Sequence, residues 1–488
     1  MKTMLSSLAL LVAVSIASFG CGKTPSGEDG KEGGTPPVTD VATVNISRAV
    51  TLADAALENY FSGSSMEMSR YYNPYSGNKS SEKGSIWMYT SAIEATVAIM
   101  EALELQKEKG DTKLYDTKFA HFRTVLDKLF QGAAYYKGTY TLTSYTQTKS
   151  WQPYAVNRAS SPGGADVTGV LNVYDDQMWL VRELIGAWKV TGEKKYLDEA
   201  EYLAEYVIDG WDCSIKGGKE RGGIPWGPGY YSKHACSNGP MISPLVWLHE
   251  IYKGKPDVTT RRWIDETDGH TRRSASMSKA EYYLLYANKI YDWSKANLQY
   301  TSGSENGLYI DNLNGPVIGS SIQYETVDGQ TYRRPTDLRD HNGPAISYNA
   351  GTMLSGAADL YRVSKDSRYL DDMKALSDKS FSYFAKKGSV REGYYTYTIT
   401  GFNNWFNGVL LRGFADVNPY YSGSSEAVKS FQDNLDFAWI NFLYKDMLPS
   451  SLLGGWNIDR SRNNVEGMFT FSFAAQYALL AKRLLENK

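Results

Sequence analysis

The sequence predicts an all-α fold made of helical hairpins arranged in a ring. Two observations carry this prediction: long segments with apolar residues at helical spacing, and a weak internal repeat. Residues 92–106 combine strong helix formers with such spacing. After Asp176, the residues Met178, Val181, Ile185 and Trp188 follow an i, i+3, i+7, i+10 series, and residues 473–485 show the same type of pattern. We expect helices that are buried on most sides.

The repeat marks where helices begin. The segment 191–200, Thr-Gly-Glu-Lys-Lys-Tyr-Leu-Asp-Glu-Ala, returns at 364–373 as Ser-Lys-Asp-Ser-Arg-Tyr-Leu-Asp-Asp-Met, with fainter copies near residues 115 and 282. The tyrosines at 115, 196, 282 and 369 are separated by 81, 86 and 87 residues. Each copy reads as a polar turn followed by a helix with acidic residues in its first turn, as the helix dipole favours. Successive α-hairpins would produce this period.

One stretch departs from the helical pattern. Between residues 307 and 349, short β-type runs flank Asp328-Gly329, a dipeptide typical of two-residue hairpin turns. We expect a short β-hairpin insertion on one rim of the ring. Loops of this length in compact domains often serve function.

The N-terminus indicates export. Lys2 precedes an apolar run at 5–19 that is too short for a membrane span, and Ser18-Phe19-Gly20-Cys21 resembles a lipobox with Ser18 in place of the usual Leu. We predict a signal peptide at 1–20, a flexible tether at 21–45 that is lipidated at Cys21, and one domain at 46–488. The expected location is the bacterial outer membrane, at the cell surface. The sequence leaves a periplasmic orientation open.

The composition limits the kinds of partner that we expect. The net charge is −2, and no Lys/Arg-rich run is present, so a nucleic-acid partner is not expected. Past the N-terminus no apolar run could span a bilayer, which leaves the lipid as the expected membrane attachment; we expect a monomer. The five histidines show no ligand spacing, so neither metal nor cofactor is predicted. The 37 Tyr and 12 Trp favour a carbohydrate partner, because their rings pair an apolar face with a polar tip.

Cys213 and Cys236 are the remaining cysteines, in a chain predicted to be exported. They could form a disulfide, or they could stay as buried free thiols. The sequence does not show whether their Cα atoms approach within the reach of a disulfide, roughly 7 Å. Both states remain open at this point.

The segment 172–179, Asn-Val-Tyr-Asp-Asp-Gln-Met-Trp, carries the strongest indication of chemistry. Asp175 and Asp176 stand where a polar, Gly-rich segment enters a largely apolar helix. One acid would suffice to cap that helix, so the second points to another role. The structural alternative is Asp175 as N-cap and Asp176 as a solvated acid of the first turn. A second pair, Asp371-Asp372, lies within the repeat and is interpreted as a solvated helix start.

These residues and those that follow resemble glycoside hydrolase family 76, the endo-α-1,6-mannanase family, over roughly residues 50–485. The resemblance rests on the order and spacing of short blocks: Tyr174-Asp175-Asp176-x-x-Trp179, Gly-Trp211-Asp, Gly222-Gly223-Ile-Pro-Trp226, Lys233 to Asn238, Tyr291-Asp-Trp293, Gly307-Leu-Tyr-Ile-Asp311, Tyr348-Asn349-Ala-Gly351, and Trp405-Phe-Asn-Gly408 with Arg412. The block near Trp87 has fewer bulky aromatics than the family usually shows, and the insertion between 307 and 349 is long.

The resemblance implies an (α/α)6 barrel and retaining hydrolysis of internal α-1,6-mannosidic bonds, with Asp175 as the nucleophile and Asp176 as the acid/base. It places Trp226, Lys233 and Asn349 in the same cleft. We add Trp87, Tyr174, Tyr348 and Trp405 as further candidate substrate contacts; for Trp87 and Trp405, packing in the core is an equal alternative. Asp311 could face the cleft or cap a turn.

The spacing of the two acids agrees with hydrolysis that retains the anomeric configuration. Neighbouring Cα atoms lie about 3.8 Å apart, so two consecutive carboxylates facing one cleft lie closer than the ~6.5–9.5 Å that an inverting enzyme needs. Their repulsion should raise one pKa while the helix N-terminus keeps the other acid ionised, and we predict that Asp176 holds the proton. Two alternatives remain: an (α/α)6 hydrolase acting on acidic oligosaccharides, and a glycan-binding surface lipoprotein without activity.

Overall fold

The computed structural model describes residues 40–315, 321–397 and 403–486. The predicted signal peptide, Cys21 and most of the predicted tether lie outside these residues. The described part of the chain contains twelve α-helices: α1 (Val41–Tyr60), α2 (Ile86–Glu108), α3 (Lys113–Ala133), α4 (Tyr174–Thr191), α5 (Lys194–Asp209), α6 (Gly239–Tyr252), α7 (Lys279–Leu298), α8 (Ser347–Ser364), α9 (Ser367–Phe384), α10 (Asn403–Val417), α11 (Ser425–Phe442) and α12 (Gly467–Glu486).

The helices form two concentric layers. The even-numbered helices pack side by side in the order α2, α4, α6, α8, α10, α12 and close onto α2 again, while the odd-numbered helices pack outside them. This is the (α/α)6 barrel, as predicted. The layers follow from the sequence pattern. Helix α3 buries only one stripe, at Phe122, Val125, Leu126 and Leu129, whereas α8 buries every residue from Ser347 to Leu360.

The repeated tyrosines all lie in the first turn of an outer helix. Tyr115, Tyr196, Tyr282 and Tyr369 are the third or fourth residues of α3, α5, α7 and α9. The sequence repeat therefore corresponds to successive helical hairpins of the barrel. Helix α1 begins at Val41, five residues before the predicted start of the domain, and the Asp40 side chain caps it by accepting a hydrogen bond from the Ala42 amide.

The strands are short and lie in the loops between the helices of the barrel. They are β1 (Phe61–Ser62), β2 (Glu67–Met68), β3 (Tyr71–Asn73), β4 (Asn78–Lys79), β5 (Tyr140–Thr143), β6 (Thr148–Trp151), β7 (Ile215–Lys216), β8 (Lys219–Glu220), β9 (Lys233–His234), β10 (Val258–Ile264), β11 (Arg272–Ser278), β12 (Asn312–Asn314), β13 (Tyr324–Val327), β14 (Gln330–Arg333), β15 (Asp340–Asn342), β16 (Ala385–Lys387), β17 (Tyr395–Tyr397) and β18 (Val465–Glu466).

Most of these strands pair as antiparallel two-stranded ribbons; β15-β12-β9 and β18-β3-β4 are three-stranded. The predicted hairpin is β13–β14, which pairs Val327 with Gln330 across Asp328 and Gly329. Both turn residues have positive φ, 49° and 77°, as a two-residue hairpin turn of this kind requires. The hairpin β10–β11 was not predicted from the sequence.

The two ends of the inner ring differ in chemistry. At the N-terminal end, loops that follow the outer helices carry most of the ribbons, and aromatic rings from α2, α4, α8 and α10 meet. At the other end, near the helix C-termini, ion pairs line a cavity; the pair between Lys482 and Glu101, with Nζ 2.7 Å from Oε2, is one of them. Cations near helix C-termini are stabilised by the helix dipole. None of the described helices is both long and apolar enough to cross a bilayer.

Candidate active site

The two acids Asp175 and Asp176 are the second and third residues of α4. The N-cap position belongs to Val173, and no side chain caps the helix there. The structural alternative, with Asp175 as N-cap, is therefore wrong. Neither acid is solvated as an ordinary first-turn residue would be, since Asp176 is 6% exposed and Asp175 is only partly exposed.

The first turn of α4 is held from two sides. The Tyr174 amide donates to the Trp226 carbonyl oxygen at 2.8 Å, which replaces the missing side-chain cap. The Gln177 side chain accepts from the Tyr154 amide at 2.9 Å and donates to the Tyr154 carbonyl oxygen at 2.7 Å. With its backbone fixed in this way, the turn presents both carboxyl groups in a defined direction.

The loop that carries Trp226 begins with glycine, which lets the loop pack closely against Trp293 of α7. Gly223 has φ = 77°, and a Cβ atom there would lie 2.5 Å from the Trp293 ring, so a larger residue would push the loop away. The Trp226 indole Nε1 then donates to Asp175 Oδ2 at 3.3 Å. His234 stacks on Trp226 with ring centroids 4.7 Å apart, and burial lowers the pKa of His234 to about 4, so its ring is neutral.

The environment raises the pKa of both acids, but unequally. Burial raises the pKa of Asp175 to about 6, against hydrogen bonds from the Cys236 thiol and the Trp226 indole that favour the ionised form. Burial raises the pKa of Asp176 well above its usual value, and the negative charge of Asp175 adds to this effect. The environment therefore favours the protonated form of Asp176 over that of Asp175, which is the assignment made from the sequence.

Aromatic rings from four inner helices form a floor beside the acids. Trp405 contacts Trp87, Trp179 and Tyr348 with ring centroids 5.2, 4.8 and 5.7 Å apart. Phe406 stacks on Trp87 at 6.0 Å. Trp87 and Phe406 are partly exposed, whereas Trp405 and Tyr348 are 3% and 5% exposed. The exposed rings can meet a ligand, and the buried ones support them.

A buried ion pair holds the aromatic rings in place on the side away from the cleft. Trp405 Nε1 donates to Glu94 Oε2 at 3.0 Å, and Arg412 pairs with the other oxygen of the same carboxylate. Sequence reasoning missed Glu94, because it is one of three glutamates in the segment 92–106 and no local pattern sets it apart from the other two. Glu94 links α2 to α10 and sets the orientation of the Trp405 ring.

Two further polar residues near Asp175 were not assigned from the sequence. Burial, with Asp175, Asp311 and Asp176 nearby, raises the pKa of Cys236 well above its usual value, so its neutral thiol can donate to Asp175. Burial also raises the pKa of Asp311. Because the Asp311 carboxyl acts on the Cys236 thiol, which is bonded to Asp175, Asp311 lies near the acid pair. Cys236 and Cys213 are both free thiols, so the possible disulfide is not formed.

Two predicted substrate contacts lie elsewhere. Tyr174 is 1% exposed, and its ring faces outward from α4 against Tyr206, at 5.1 Å, and Gly210. Successive helical residues point about 100° apart, so Tyr174 and the acids after it cannot all face one cleft. Lys233 is 5% exposed; its Nζ donates to Asp212 Oδ2 at 2.7 Å and to the Gly222 carbonyl oxygen at 2.5 Å. It stabilises the Trp226 loop from the face opposite His234.

Asn349 also lies below the surface. It is fully buried, and its Nδ2 donates to the Ile310 carbonyl oxygen at 3.3 Å. Tyr348, its neighbour, lies nearer the cleft, where its hydroxyl donates to the Cys236 carbonyl oxygen at 3.4 Å. Of the predicted contacts, Trp87 and Trp226 remain the ones with exposed ring surface next to the acids. In the described ranges no cluster of three His, Cys, Asp or Glu side chains could hold a metal ion.

An acid pair at the inner-helix N-termini of an (α/α)6 barrel suggests a glycosidase, and comparison with known families decides which one. The model of glycosyl hydrolase family 76 matches residues 68–245 and 272–442, well over half of the chain. The chain belongs to this family. Among curated proteins, none matches the sequence of this family 76 member. The family assigns it to the glycoside hydrolases.

Solved structures of family 76 share the fold. The mannosidase Bt3792 of Bacteroides thetaiotaomicron VPI-5482 is 20% identical with a TM-score of 0.67, over 91% of this chain and all of that one. The α-1,6-mannanase GH76A of Salegentibacter sp. HEL1_6 is 18% identical with a TM-score of 0.57, over 90% of this chain and 99% of that one. An inactive variant of GH76A, changed at two consecutive aspartates, has the same identity, coverage and TM-score, and was solved with α-1,6-mannotetrose.

Proposed function

We propose that the protein hydrolyses internal α-1,6-mannosidic bonds of mannan with retention of configuration, using Asp175 as the nucleophile and Asp176 as the acid/base. The observation that carries the proposal is the consecutive acid pair at the start of α4, with unequally raised pKa values and the Trp226 indole bonded to Asp175. A family 76 relative that is inactive after changes at two consecutive aspartates, and that was solved with α-1,6-mannotetrose, supports a catalytic function for the acid pair and an α-1,6-linked substrate.

In the first step Asp175 attacks the anomeric carbon while Asp176 gives its proton to the glycosidic oxygen, so the carbon–oxygen bond breaks and a glycosyl ester forms. Esterification removes the negative charge of Asp175. Because that charge contributes to the raised pKa of Asp176, the pKa of Asp176 falls, and the ionised Asp176 can accept a proton from water. The water attacks the same carbon, releases the sugar and restores Asp175.

The charges around the cleft favour a neutral sugar. The ionisable groups that act most strongly on the Cys236 thiol, beside the nucleophile, are the carboxyls of Asp175, Asp311 and Asp176. The candidate cation Lys233 is already paired with Asp212. An acidic oligosaccharide would need free cations here, whereas a mannosyl unit needs hydrogen-bonding groups and an aromatic surface such as Trp87.

We also propose that the protein is exported and anchored by a lipid at Cys21 to the outer membrane, where it acts as a monomer on mannan at the cell surface. The apolar run and lipobox-like segment before Cys21 support this location. Radiolabelled palmitate should enter the full-length chain in a bacterial host and be absent after Cys21→Ala. Equal labelling of both would contradict the anchor.

The activity is tested with residues 40–488 incubated with linear α-1,6-mannan and, separately, with an acidic oligosaccharide. Endo-cleavage predicts a ladder of mannooligosaccharides from mannan and no products from the acidic substrate. Asp175→Asn and Asp176→Asn should each lose activity but still be retarded in a mannan-containing native gel. Retardation of the unmodified protein without products would instead identify a binding protein. Cleavage of the acidic substrate alone would identify the other class of hydrolase.

A further inference from the structure

The first strand of the hairpin β10–β11 lies outside the ranges that the family model matches. The two matched ranges leave out residues 246–271, which contain β10 and the turn that follows it. Each strand has seven residues, a length of about 23 Å, comparable to the sixteen-residue helix α5 at about 24 Å. The hairpin therefore has the length to extend along the outside of the barrel.

Its contacts show where the hairpin lies. Near the start of β10, Thr259 contacts Glu205 of α5, with Oγ1 3.4 Å from Oε1. At the start of β11, the Arg272 guanidinium donates to the Tyr145 carbonyl oxygen at 3.2 Å and to Glu325 at 3.1 Å. The hairpin thus runs from the C-terminal end of α6 toward the rim that carries β13. It covers the outer surface of α5 and α7.

A cavity of about 240 Å³ lies beneath it, between β10, the β5–β6 ribbon and the helices α5 and α7. This volume equals roughly eight water molecules in the liquid, which suits a single sugar unit rather than an extended chain. Aromatic side chains form part of the walls: Trp211 contacts Tyr286 with ring centroids 6.3 Å apart, and Tyr286 contacts Tyr282 at 5.0 Å. Trp151 forms the wall on the β6 side.

Two polar atoms of residues that line this cavity have no hydrogen-bond partner among the described residues. Asp209 Oδ1 accepts from Ser144 at 3.0 Å, but its Oδ2 accepts no hydrogen bond, and the Trp151 indole Nε1 donates none. Both atoms are buried. Asp209 has a pKa raised to about 6 by that burial. Buried polar groups are rarely left unpaired in folded proteins, so each of these orphaned atoms calls for a partner.

The charges of the lining residues balance, with Lys149 and Arg262 facing Glu205 and Asp209. A charged ligand would disturb that balance, whereas a neutral one with several hydroxyl groups would not. Hydroxyls both donate and accept, so one hexose ring could satisfy the Asp209 oxygen and the Trp151 indole while its apolar face packs on an aromatic wall.

We propose that this cavity is a second, non-catalytic site that binds one neutral hexose unit of a glycan. It lies on the flank of the barrel, outside the inner ring that holds Asp175, and the strand β10 that covers it falls outside the ranges matched by the family model. Such a site would hold a glycan chain to the enzyme independently of cleavage.

The test measures binding stoichiometry in a chain that cannot cleave. Asp175→Asn in the full chain is titrated with α-1,6-mannotriose by calorimetry, alone and combined with Thr260→Trp or Ala275→Trp. Thr260 is an exposed residue of β10 that lines the cavity, so a tryptophan there fills the entrance. Ala275 is exposed on β11, the partner strand of β10, and unlike Thr260 it does not line the cavity. Ala275→Trp is therefore the matched control.

The expected result is two trisaccharides per chain, one after Thr260→Trp and two after Ala275→Trp. Tyr286→Phe, which removes one hydroxyl from the cavity, should weaken the second event roughly fivefold and leave the first unchanged. One trisaccharide per chain in all three proteins, or none, would overturn the second site. Failure of the proposed activity is a separate outcome, because mannan cleavage by the chain with intact Asp175 is measured without reference to this cavity.

Discussion

Replacing Trp226 with phenylalanine tests how the protein sets the pKa of its nucleophile. The indole Nε1 donates to Asp175 Oδ2 at 3.3 Å, and this bond favours the ionised carboxylate. Phenylalanine keeps an aromatic surface but removes the donor. The pKa of Asp175, raised by burial to about 6, should therefore rise further.

The size of the effect follows from the bond. Hydrogen bonds to charged groups contribute about 1.5–3 kcal/mol, and a 3.3 Å separation lies beyond the usual range for N–H···O bonds. We therefore take the lower end, about 1.5 kcal/mol, which equals roughly one pKa unit. Activity that requires ionised Asp175 should fall about tenfold at pH 5, and the ratio of variant to unmodified protein should approach one near pH 8.

The assay is kcat/KM for α-1,6-mannan oligosaccharides from pH 4 to pH 9. The acid limb should move from about pH 6 toward about pH 7 in Trp226→Phe. Tyr230→Phe is the control: its ring packs on Trp226 at 4.7 Å, but its hydroxyl points to the Val170 carbonyl oxygen. That variant should keep the original limb. An equal loss at every pH in Trp226→Phe, without a moved limb, would refute the reasoning and assign the indole to substrate stacking alone.

Three further predictions concern residues that support the site. Glu94→Gln should lower the unfolding free energy by about 3–5 kcal/mol, measured by urea denaturation, because it leaves buried Arg412 without its carboxylate; a loss below 1 kcal/mol would contradict the role of that pair. Lys233→Met should lower the unfolding free energy by a similar amount, because it leaves buried Asp212 without its cation, but the KM of the folded protein should not change. A raised KM with normal stability would instead show that Lys233 contacts the substrate. Burial alone would raise the pKa of Glu101, but the Lys482 ammonium lowers it to about 2. Because this folded value lies below the unfolded one, ionised Glu101 stabilises the fold above about pH 4.5, and this stabilisation is lost as the pH falls toward 2. The acid unfolding curve of Glu101→Gln should lack this contribution.

The sequence predicts the barrel well because its signals are local. Helical spacing and the period of Tyr115, Tyr196, Tyr282 and Tyr369 depend on neighbouring residues, and the structure places all four at outer-helix starts. The Asp-Gly turn of β13–β14 is likewise encoded in two residues. The hairpin β10–β11 escaped detection because its strands carry polar and charged residues on both faces, without the alternation that marks a half-buried strand.

The site is predicted only in part, because a motif gives neighbours in the chain but not directions in space. The two acids lie together in the cleft, but Tyr174, directly before them, turns toward α5. Lys233 and His234 alternate in β9, so only His234 faces Trp226. The approach of Cys236 to Asp175 depends on the tertiary fold of two loops, which no local pattern records.

Trapping the covalent intermediate tests the central claim most directly. The protein is treated with a fluorinated α-mannosyl fluoride, which forms the glycosyl ester but slows its hydrolysis, and is then digested and analysed by mass spectrometry. The division of roles between the two acids predicts one added sugar on Asp175, an unlabelled Asp176, and an α-configured first product by NMR. A label on Asp176, or no label together with a β-configured first product, would contradict it.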